Sequence, residues 1–174
     1  MAAAPKPSPI SPQFALMAAE MILSSLEREK QTTKKVIAAI PEAGRDYRPD
    51  AKARSAYELA WHIAYEDVQF LKGIAQLKIE MAAPKEPPAT IGEIVTWYEQ
   101  NLPPAIQQVR TMSAEKLLTP VDFFGVMKLP VFQYLPMVIS HSIHHRGQLS
   151  TYLRPMGSKV PSIYGGSADE PFEG

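Results

Sequence analysis

The chain has 174 residues, of which 45% are hydrophobic, and its 18 basic and 18 acidic side chains give a formal net charge of zero. This length and composition indicate one globular domain with a substantial core, and they exclude wholesale disorder. The absence of a basic surplus argues against a general nucleic-acid binder. With no cysteine, the chain has no disulfide, no thiolate metal ligand and no nucleophilic thiol of its own.

The first twelve residues are rich in proline, alanine and serine. They predict a flexible lead-in over residues 1–12, ahead of a single domain over residues 13–174. The lead-in lacks the apolar run of a signal peptide, and nowhere does the sequence reach the ~18 apolar residues of a membrane span. We therefore expect a cytoplasmic protein with neither a membrane nor a nucleic acid as partner.

Apolar residues at three- and four-residue spacings predict a long first helix that begins near Gln13 and ends before Pro41 and Gly44. Within it, Met17 and Met21 are interpreted as core-filling side chains. A second helix is expected after a polar connection, running to about residue 75. Ser55 is placed to cap it, and Glu58 completes the pattern of a capping box.

Thr90 and Glu93 predict the same kind of cap for a third helix. Pro103 and Pro104 interrupt that helix, so we expect a kink or two short helices meeting at a break. Residues 120–130 suggest an extended segment, such as a small hairpin.

The fourth helix should contain about Phe132–Leu153, with Pro136 in its first turn or at a kink. An irregular tail is expected to fold back on the domain. The fold class is therefore all-α, a four-helix bundle, because each amphipathic helix must bury its apolar stripe against others. An up-down-down-up order fits the long connections as well as a strict up-down one.

The chain has only four histidines, and three of them lie in the segment His141-Ser142-Ile143-His144-His145. On a helix, His141 and His145 are one turn and about 40° apart, so both imidazoles can bind one metal ion. His144 is a competing partner for His141. Metalloprotease helices use the same four-residue spacing, with a glutamate directly after the first histidine as base. Ser142 occupies that position, so a peptidase of this type is excluded.

A third ligand must come from another helix, and His62 is the remaining histidine. A lone histidine on an apolar face is more often a hydrogen-bonded core residue. Here the nearby pair favours a shared ion, because buried polar groups need partners. Glu66 follows one turn later on the same face. It is a candidate for orienting a ligand, binding the metal or acting as the catalytic base, and a plain salt bridge or exposed carboxylate is the alternative.

Three neutral imidazoles suit zinc, nickel, iron or cobalt better than magnesium or calcium, with zinc and nickel favoured. They leave at least one coordination position open, which is typical of a catalytic site. Among the other polar groups, Arg146 is expected to pair with a carboxylate, and Gln148 and Tyr152 are interpreted as ordinary packing. If the chain dimerises, Trp97, Tyr98 and the C-terminal tail are candidate contacts.

With these residues in view, the chain resembles the DinB-like superfamily, named for damage-inducible proteins. Three stretches carry the resemblance: Tyr47-Arg48-Pro49 with Ser55 and Leu59-Ala60-Trp61-His62-Ile63-Ala64 and Glu66, then His141-Ser142-Ile143-His144-His145-Arg146-Gly147-Gln148-Leu149, and last Tyr152-Leu153-Arg154 with Gly157 and Val160-Pro161-Ser162-Ile163-Tyr164-Gly165.

The resemblance implies a four-helix bundle whose metal ligands fall on His62, His141 and His145. It also implies a homodimer. Characterised relatives include transferases and isomerases that use low-molecular-weight thiols, so a small-molecule substrate and such a thiol are the expected partners. Metal-dependent hydrolysis and a non-catalytic, stress-related metal-binding role are the alternatives, and a bundle whose histidines hold no metal is the simplest one.

Overall fold

The structure is a computed structural model that describes residues 10–81 and 85–171. Residues 1–9 of the predicted lead-in therefore lie outside the described residues. Four long helices form the molecule, with a short helix and a two-stranded hairpin between the third and the last. Their bounds are α1 Pro12–Ala38, α2 Ala56–Gln76, α3 Ile91–Arg110, α4 Ala114–Leu118, β1 Pro120–Phe123, β2 Met127–Pro130 and α5 Leu135–Leu153.

The fold class is all-α, as expected from the helical periodicity. The extended segment predicted near residues 120–130 is an antiparallel hairpin in which Val121 pairs with Leu129. The last helix begins at Leu135, three residues later than predicted, and Pro136 lies in its first turn. Residues 131–134 form a single 3-10 turn instead. The short α4 was not predicted, because five residues are too few to show a helical period.

Both predicted capping boxes are present. The Ser55 hydroxyl accepts from the backbone N–H of Glu58, whose carboxylate accepts from the Ser55 N–H at 2.8 Å. Thr90 and Glu93 make the equivalent pair of bonds. The starts of α2 and α3 are therefore fixed by local sequence, because each box satisfies two backbone donors that the first helical turn leaves free.

Of the two outcomes expected at Pro103 and Pro104, two short helices meeting at a break is wrong, because α3 is one helix that runs through both residues. The kink stays a prediction. Leu102, Ala105 and Ile106 are buried on one side of this segment. Pro104 is exposed. Glu99 and Gln100 are exposed too, and their carbonyls are the ones that would accept helical hydrogen bonds from positions 103 and 104. The carbonyls that lose their helical donors therefore lie on the solvent side, while burial of the opposite face holds the helix together.

One end of the bundle gathers the end of α1, the starts of α2 and α3 and the end of α5. Three hydrogen bonds join these segments: the Ile91 N–H to Glu42 Oε1 (2.7 Å), the Tyr57 N–H to the Arg45 carbonyl (2.9 Å) and the Ser158 hydroxyl to the Ala39 carbonyl (2.6 Å). At the other end, the Phe14 ring near the start of α1 contacts Phe132 at 6.4 Å between centroids. The order is therefore up-down-down-up.

Around the bundle the helices follow the order α1, α3, α2, α5, so each packs against two neighbours. Because α2 and α3 start at the same end, the crossover from α2 to α3 must return along the bundle, and residues 77–81 and 85–90 of it are described. Leu77 begins this return in a left-handed conformation (φ 58°). Farther along, Trp61 of α2 donates its indole N–H to the Lys85 carbonyl at 3.1 Å. The crossover thus runs beside α2, past the face that carries His62.

The interpretation of Met17 and Met21 as core residues is wrong, since they are 54% and 64% exposed. The buried stripe of α1 instead starts with Ala15, Ala19 and Leu23, at a spacing of four residues. Small side chains there let α1 approach its neighbours closely. None of the helices described for residues 10–81 and 85–171 is long and apolar enough to cross a membrane.

Candidate metal centre

The centre of the bundle brings together one histidine from α2 and two from α5. His62, His141 and His145 each offer a ring nitrogen, and these nitrogens all lie within 4.8 Å of one another. The Nε2 atom of His62 is 3.1 Å from that of His141 and 3.2 Å from that of His145. All three side chains are partly buried. Among the described residues, no other set of three such side chains comes together in this way.

The outer nitrogens of two of these rings have oxygen partners. Nδ1 of His141 is 3.3 Å from Asp67 Oδ1, and Nδ1 of His145 is 3.1 Å from Gln148 Oε1. A carboxylate and an amide oxygen only accept hydrogen bonds, so both Nδ1 atoms carry the proton. The Nε2 lone pairs of His141 and His145 therefore point at Nε2 of His62, which has at most one proton to offer.

A cation accounts for this convergence better than a hydrogen bond does. Tetrahedral zinc with bonds of 2.0–2.1 Å would place its nitrogen ligands roughly 3.3 Å apart, which is close to the separations between His62 and its two neighbours. Burial lowers the pKa of His62 to about 3, with the Arg54 charge and the neighbouring histidines adding to the effect. Burial also lowers the pKa of His145. Both rings are thus held in the neutral form that binds metals, and the donor set fits a divalent transition metal.

Asp67 is a site residue that the sequence interpretation missed. It is 1% exposed on α2. Besides its contact with His141, its other oxygen accepts a 3.0 Å hydrogen bond from the Tyr98 hydroxyl of α3. Burial raises the pKa of Asp67, while these two contacts lower it. The sequence does contain a signal for Asp67. Its carboxylate lies in an apolar stripe of α2, between Ile63 and Leu71, where a charged side chain needs a partner.

Gln148 does more than the ordinary packing assigned to it. Its amide oxygen faces His145, and its Nε2 donates to the Tyr152 hydroxyl at 3.0 Å. With its Nε2 donating to Tyr152, the amide presents its oxygen to the imidazole. Outer partners of this kind fix the tautomer and the orientation of metal-binding histidines. Tyr98, by contrast, is fully buried, so its candidacy as a dimer contact is wrong.

The two remaining candidates lie outside the cluster. His144 is exposed on α5, with its ring centroid 4.8 Å from that of His145. Glu66 is partly buried on α2. Burial raises its pKa, and the charges of His141 and Arg54 lower it. Its side chain lies at the meeting point of two cavities.

The first cavity, of about 330 Å³, is lined by Arg54, His62, Glu66, Asp67, Phe70, Glu80, Met81, Phe123, Phe124, Met137, Val138 and His141. The second is a more open groove of about 270 Å³ lined by Arg54, Glu58, Trp61, His62, Tyr65, Glu66 and Lys85. His62, Glu66 and Arg54 belong to both. The three-histidine cluster can therefore be reached from two directions.

A buried polar network lies behind the cluster. Arg146 is 1% exposed, and it donates to Glu29 Oε2 at 2.6 Å and to the Thr33 hydroxyl at 3.2 Å. This confirms the expected pairing of Arg146 with a carboxylate. Thr33 Oγ1 is 3.4 Å from the Ser142 hydroxyl, and Ser142 in turn helps to lower the pKa of Asp67. In the described part of the chain, every buried side-chain nitrogen and oxygen has a partner.

Fold and site together define the class: an up-down-down-up four-helix bundle with a candidate metal centre of three histidines from two helices. The particular family follows from comparison with known proteins. The model of the DinB family matches residues 14–172, and the chain belongs to that family.

Three similar proteins come from bacilli. The uncharacterized protein YrdA of Bacillus subtilis (strain 168) is 25% identical over 150 residues, which cover 85% of this chain and 89% of YrdA. The crystal structure of the DinB-like protein YjoA of Bacillus subtilis has a TM-score of 0.69 at 22% identity, covering 82% of this chain and 97% of YjoA.

The third is a DinB-like protein of Bacillus cereus ATCC 10987, whose crystal structure has a TM-score of 0.71 at 24% identity. The match covers 83% of this chain and 97% of that one. At these identities, the two solved structures show that the fold is shared.

Proposed function

We propose that the chain binds one divalent transition metal through His62, His141 and His145 and transfers a low-molecular-weight thiol to an electrophilic small molecule. The observation that carries the metal assignment is the convergence of three Nε2 atoms. In His141 and His145, the proton is on Nδ1 at the other side of the ring, where it faces Asp67 and Gln148. Imidazole ligands favour zinc or nickel, with iron or cobalt as alternatives.

The arrangement of the cavities supports a transferase over a hydrolase. Two cavities share His62 and Glu66, and a reaction between two organic substrates needs two such spaces, whereas hydrolysis needs one space and a water molecule. The groove that contains Arg54 and Lys85 offers cations to an anionic thiol cosubstrate.

A divalent metal held by three neutral imidazoles supplies an open coordination position that lowers the pKa of a bound thiol. Glu66 is the proposed base, because it borders both cavities. Its carboxylate accepts the thiol proton, the sulfur forms a bond to the electrophilic carbon, and the leaving group departs with that proton. Asp67 and Gln148 hold His141 and His145 in the required orientation throughout.

Metal content measured by mass spectrometry on tag-free protein tests the first part of the proposal. We expect close to one equivalent in the wild type and in His144→Ala, and loss in His145→Ala. The two variants remove neighbouring histidines of one helix, only one of which belongs to the cluster. No metal in the wild type, together with no thermal shift on adding zinc, nickel, iron or cobalt, would reject the metal site.

The reaction class is tested on cobalt-substituted protein. Thiol transfer predicts that glutathione, bacillithiol or mycothiol changes the cobalt absorption spectrum. Hydrolysis predicts turnover of esters or amides without any thiol. A non-catalytic metal-binding protein would show neither response and would still be stabilised by metal. The homodimer and the cytoplasmic location stay predictions, which light scattering and fractionation can test.

A further inference from the structure

The first cavity has a polar end and an apolar wall. Its polar end carries His62, Glu66 and His141, and its apolar wall consists of Phe70, Met81, Phe123, Phe124, Met137 and Val138. We propose that this wall binds an uncharged aromatic or branched aliphatic group of the electrophilic substrate, and that the β1–β2 hairpin determines this specificity. The inference rests on the proposed function, because the group bound here would hold its reacting carbon at the polar end.

Two of the charged residues that line this cavity already have partners within the chain. Glu80 pairs with Lys78 at 3.0 Å. Asp67 is engaged by His141 and Tyr98. Arg54 and Glu66 line both this cavity and the second groove. A formal charge placed among the phenylalanine rings would lose hydration that apolar side chains do not replace in full, so we expect the wall to favour uncharged groups.

The hairpin directs two consecutive aromatic side chains into the same cavity. Successive residues of a strand normally point to opposite faces. Here β1 ends at Phe123, and Phe124 takes a left-handed conformation with φ 53°. This reverses the alternation, and both rings line the cavity, with their centroids 4.7 Å apart in an edge-to-face contact.

The turn of the hairpin accounts for the conformation of Phe124. Phe124 and Gly125 both have a positive φ, and the Val126 N–H donates to the Phe123 carbonyl at 3.0 Å, as in the tight turns that join antiparallel strands. The Phe124 side chain is 46% exposed, so much of its ring remains available to another group. Phe123 is fixed by stacking on Tyr134, with ring centroids 5.5 Å apart. The hairpin thus places one fixed and one half-exposed aromatic ring in the cavity lining.

The test measures binding of three probes by saturation-transfer NMR to the protein after incubation with zinc: naphthalenemethanol (uncharged), naphthalenesulfonate (anionic) and naphthylmethylammonium (cationic). The probes share one ring system, and none needs to coordinate the metal. We expect the uncharged probe to bind about tenfold more tightly than either ion, because a charge would lose its hydration. Equal or tighter binding of an ionic probe, or no binding of the uncharged probe, would overturn the inference.

Phe124→Asn is the matched variant, because asparagine tolerates the left-handed conformation and removes the ring. We expect it to weaken binding of naphthalenemethanol about fivefold and to leave the metal content unchanged. Val126→Asn is the control: Val126 belongs to the same hairpin, is 75% exposed and is not part of the cavity lining. Unchanged binding to Phe124→Asn, or equal weakening by Val126→Asn, would reject the assignment.

Metal content is read on the same samples. Absence of metal with selective binding of the uncharged probe would overturn the proposed function and leave the apolar ligand class standing. Full metal content without selective binding of the uncharged probe would overturn the apolar ligand class and leave the proposed metal site standing.

Discussion

The carboxylate of Asp67 lies 3.3 Å from Nδ1 of His141, on the side of the ring that faces away from the three-histidine cluster. Its second oxygen accepts from Tyr98 at 3.0 Å, so helix α3 positions Asp67, and Asp67 positions a candidate ligand. Carboxylates in this position strengthen metal binding by fixing the tautomer and raising the basicity of the bound nitrogen.

Asp67→Asn should therefore weaken metal binding by about tenfold or more while the fold is retained. The amide has nearly the same shape but no negative charge to support the imidazole. Affinity can be measured by competition with a chromophoric chelator. Tyr98→Phe is the control, because it keeps the carboxylate and should weaken binding less. Wild-type affinity in Asp67→Asn would contradict the assigned role.

Arg146 is expected to stabilise the bundle without binding the metal. Its buried guanidinium pairs with Glu29, whose side chain is 18% exposed. Arg146→Met would leave that carboxylate with the Tyr164 hydroxyl but without a cationic partner, and should reduce the free energy of unfolding by about 3 kcal/mol. Urea denaturation measures this loss. Arg154→Met is a matched control, since Arg154 is 54% exposed in its pair with Asp169 and should cost about 1 kcal/mol or less.

Arg110 provides a contribution to stability that depends on pH. It lies within 2.9 Å of Glu20 and of Glu27, and so joins α3 to α1. Hydrogen bonding to Arg110 lowers the pKa of both carboxyls in the folded chain below their ordinary value of 4.5. The stabilisation is therefore present at neutral pH and is lost as the pH falls below 4.5 through the folded-state pKa values.

Arg110→Gln should accordingly reduce stability by about 1 kcal/mol or less at pH 7, because both carboxylates are half exposed and screened by solvent. The difference from the wild type should shrink between pH 7 and pH 3, because both carboxylates take up protons as the pH falls below 4.5. Thermal melts at both pH values measure it. Arg28→Gln serves for comparison, because Arg28 bonds to the neutral Ser25 hydroxyl and should show no such pH dependence. A loss of stability in Arg110→Gln that is as large near pH 3 as at pH 7 would contradict the ionic explanation.

Pro104→Ala should stabilise the chain by about 1 to 2 kcal/mol. The substitution restores a helical N–H opposite the Gln100 carbonyl, which outweighs the smaller loss from a more flexible unfolded chain. Pro104 is exposed, so no packing is lost. Urea denaturation measures the change. Destabilisation would indicate that α3 needs a proline-induced bend to pack.

Local patterns in the sequence predict much of this fold. The capping pairs at Ser55 and Thr90 predict where two helices begin, and the spacing of His141 and His145 places both on one face of α5. Long-range relationships are not visible in the same way. Asp67 and His141 are 74 positions apart, and no periodicity connects them.

The errors have physical causes as well. The apolar character of Met17 and Met21 suggested burial, but alanines occupy the core-facing positions of α1. The prolines of α3 suggested a break, but burial of Leu102 and Ile106 maintains the helix. In both cases tertiary packing decides an outcome that local propensity leaves open.

The two helices that supply the histidines also determine when the centre can form during folding. His62 and His141 are separated by 79 positions, with α3, α4 and the hairpin between them. No early, local piece of the chain can assemble all three nitrogens, so a metal ion should stabilise the complete bundle and none of its fragments. Bound metal would then slow global unfolding, and its release would report that α5 has separated from α2.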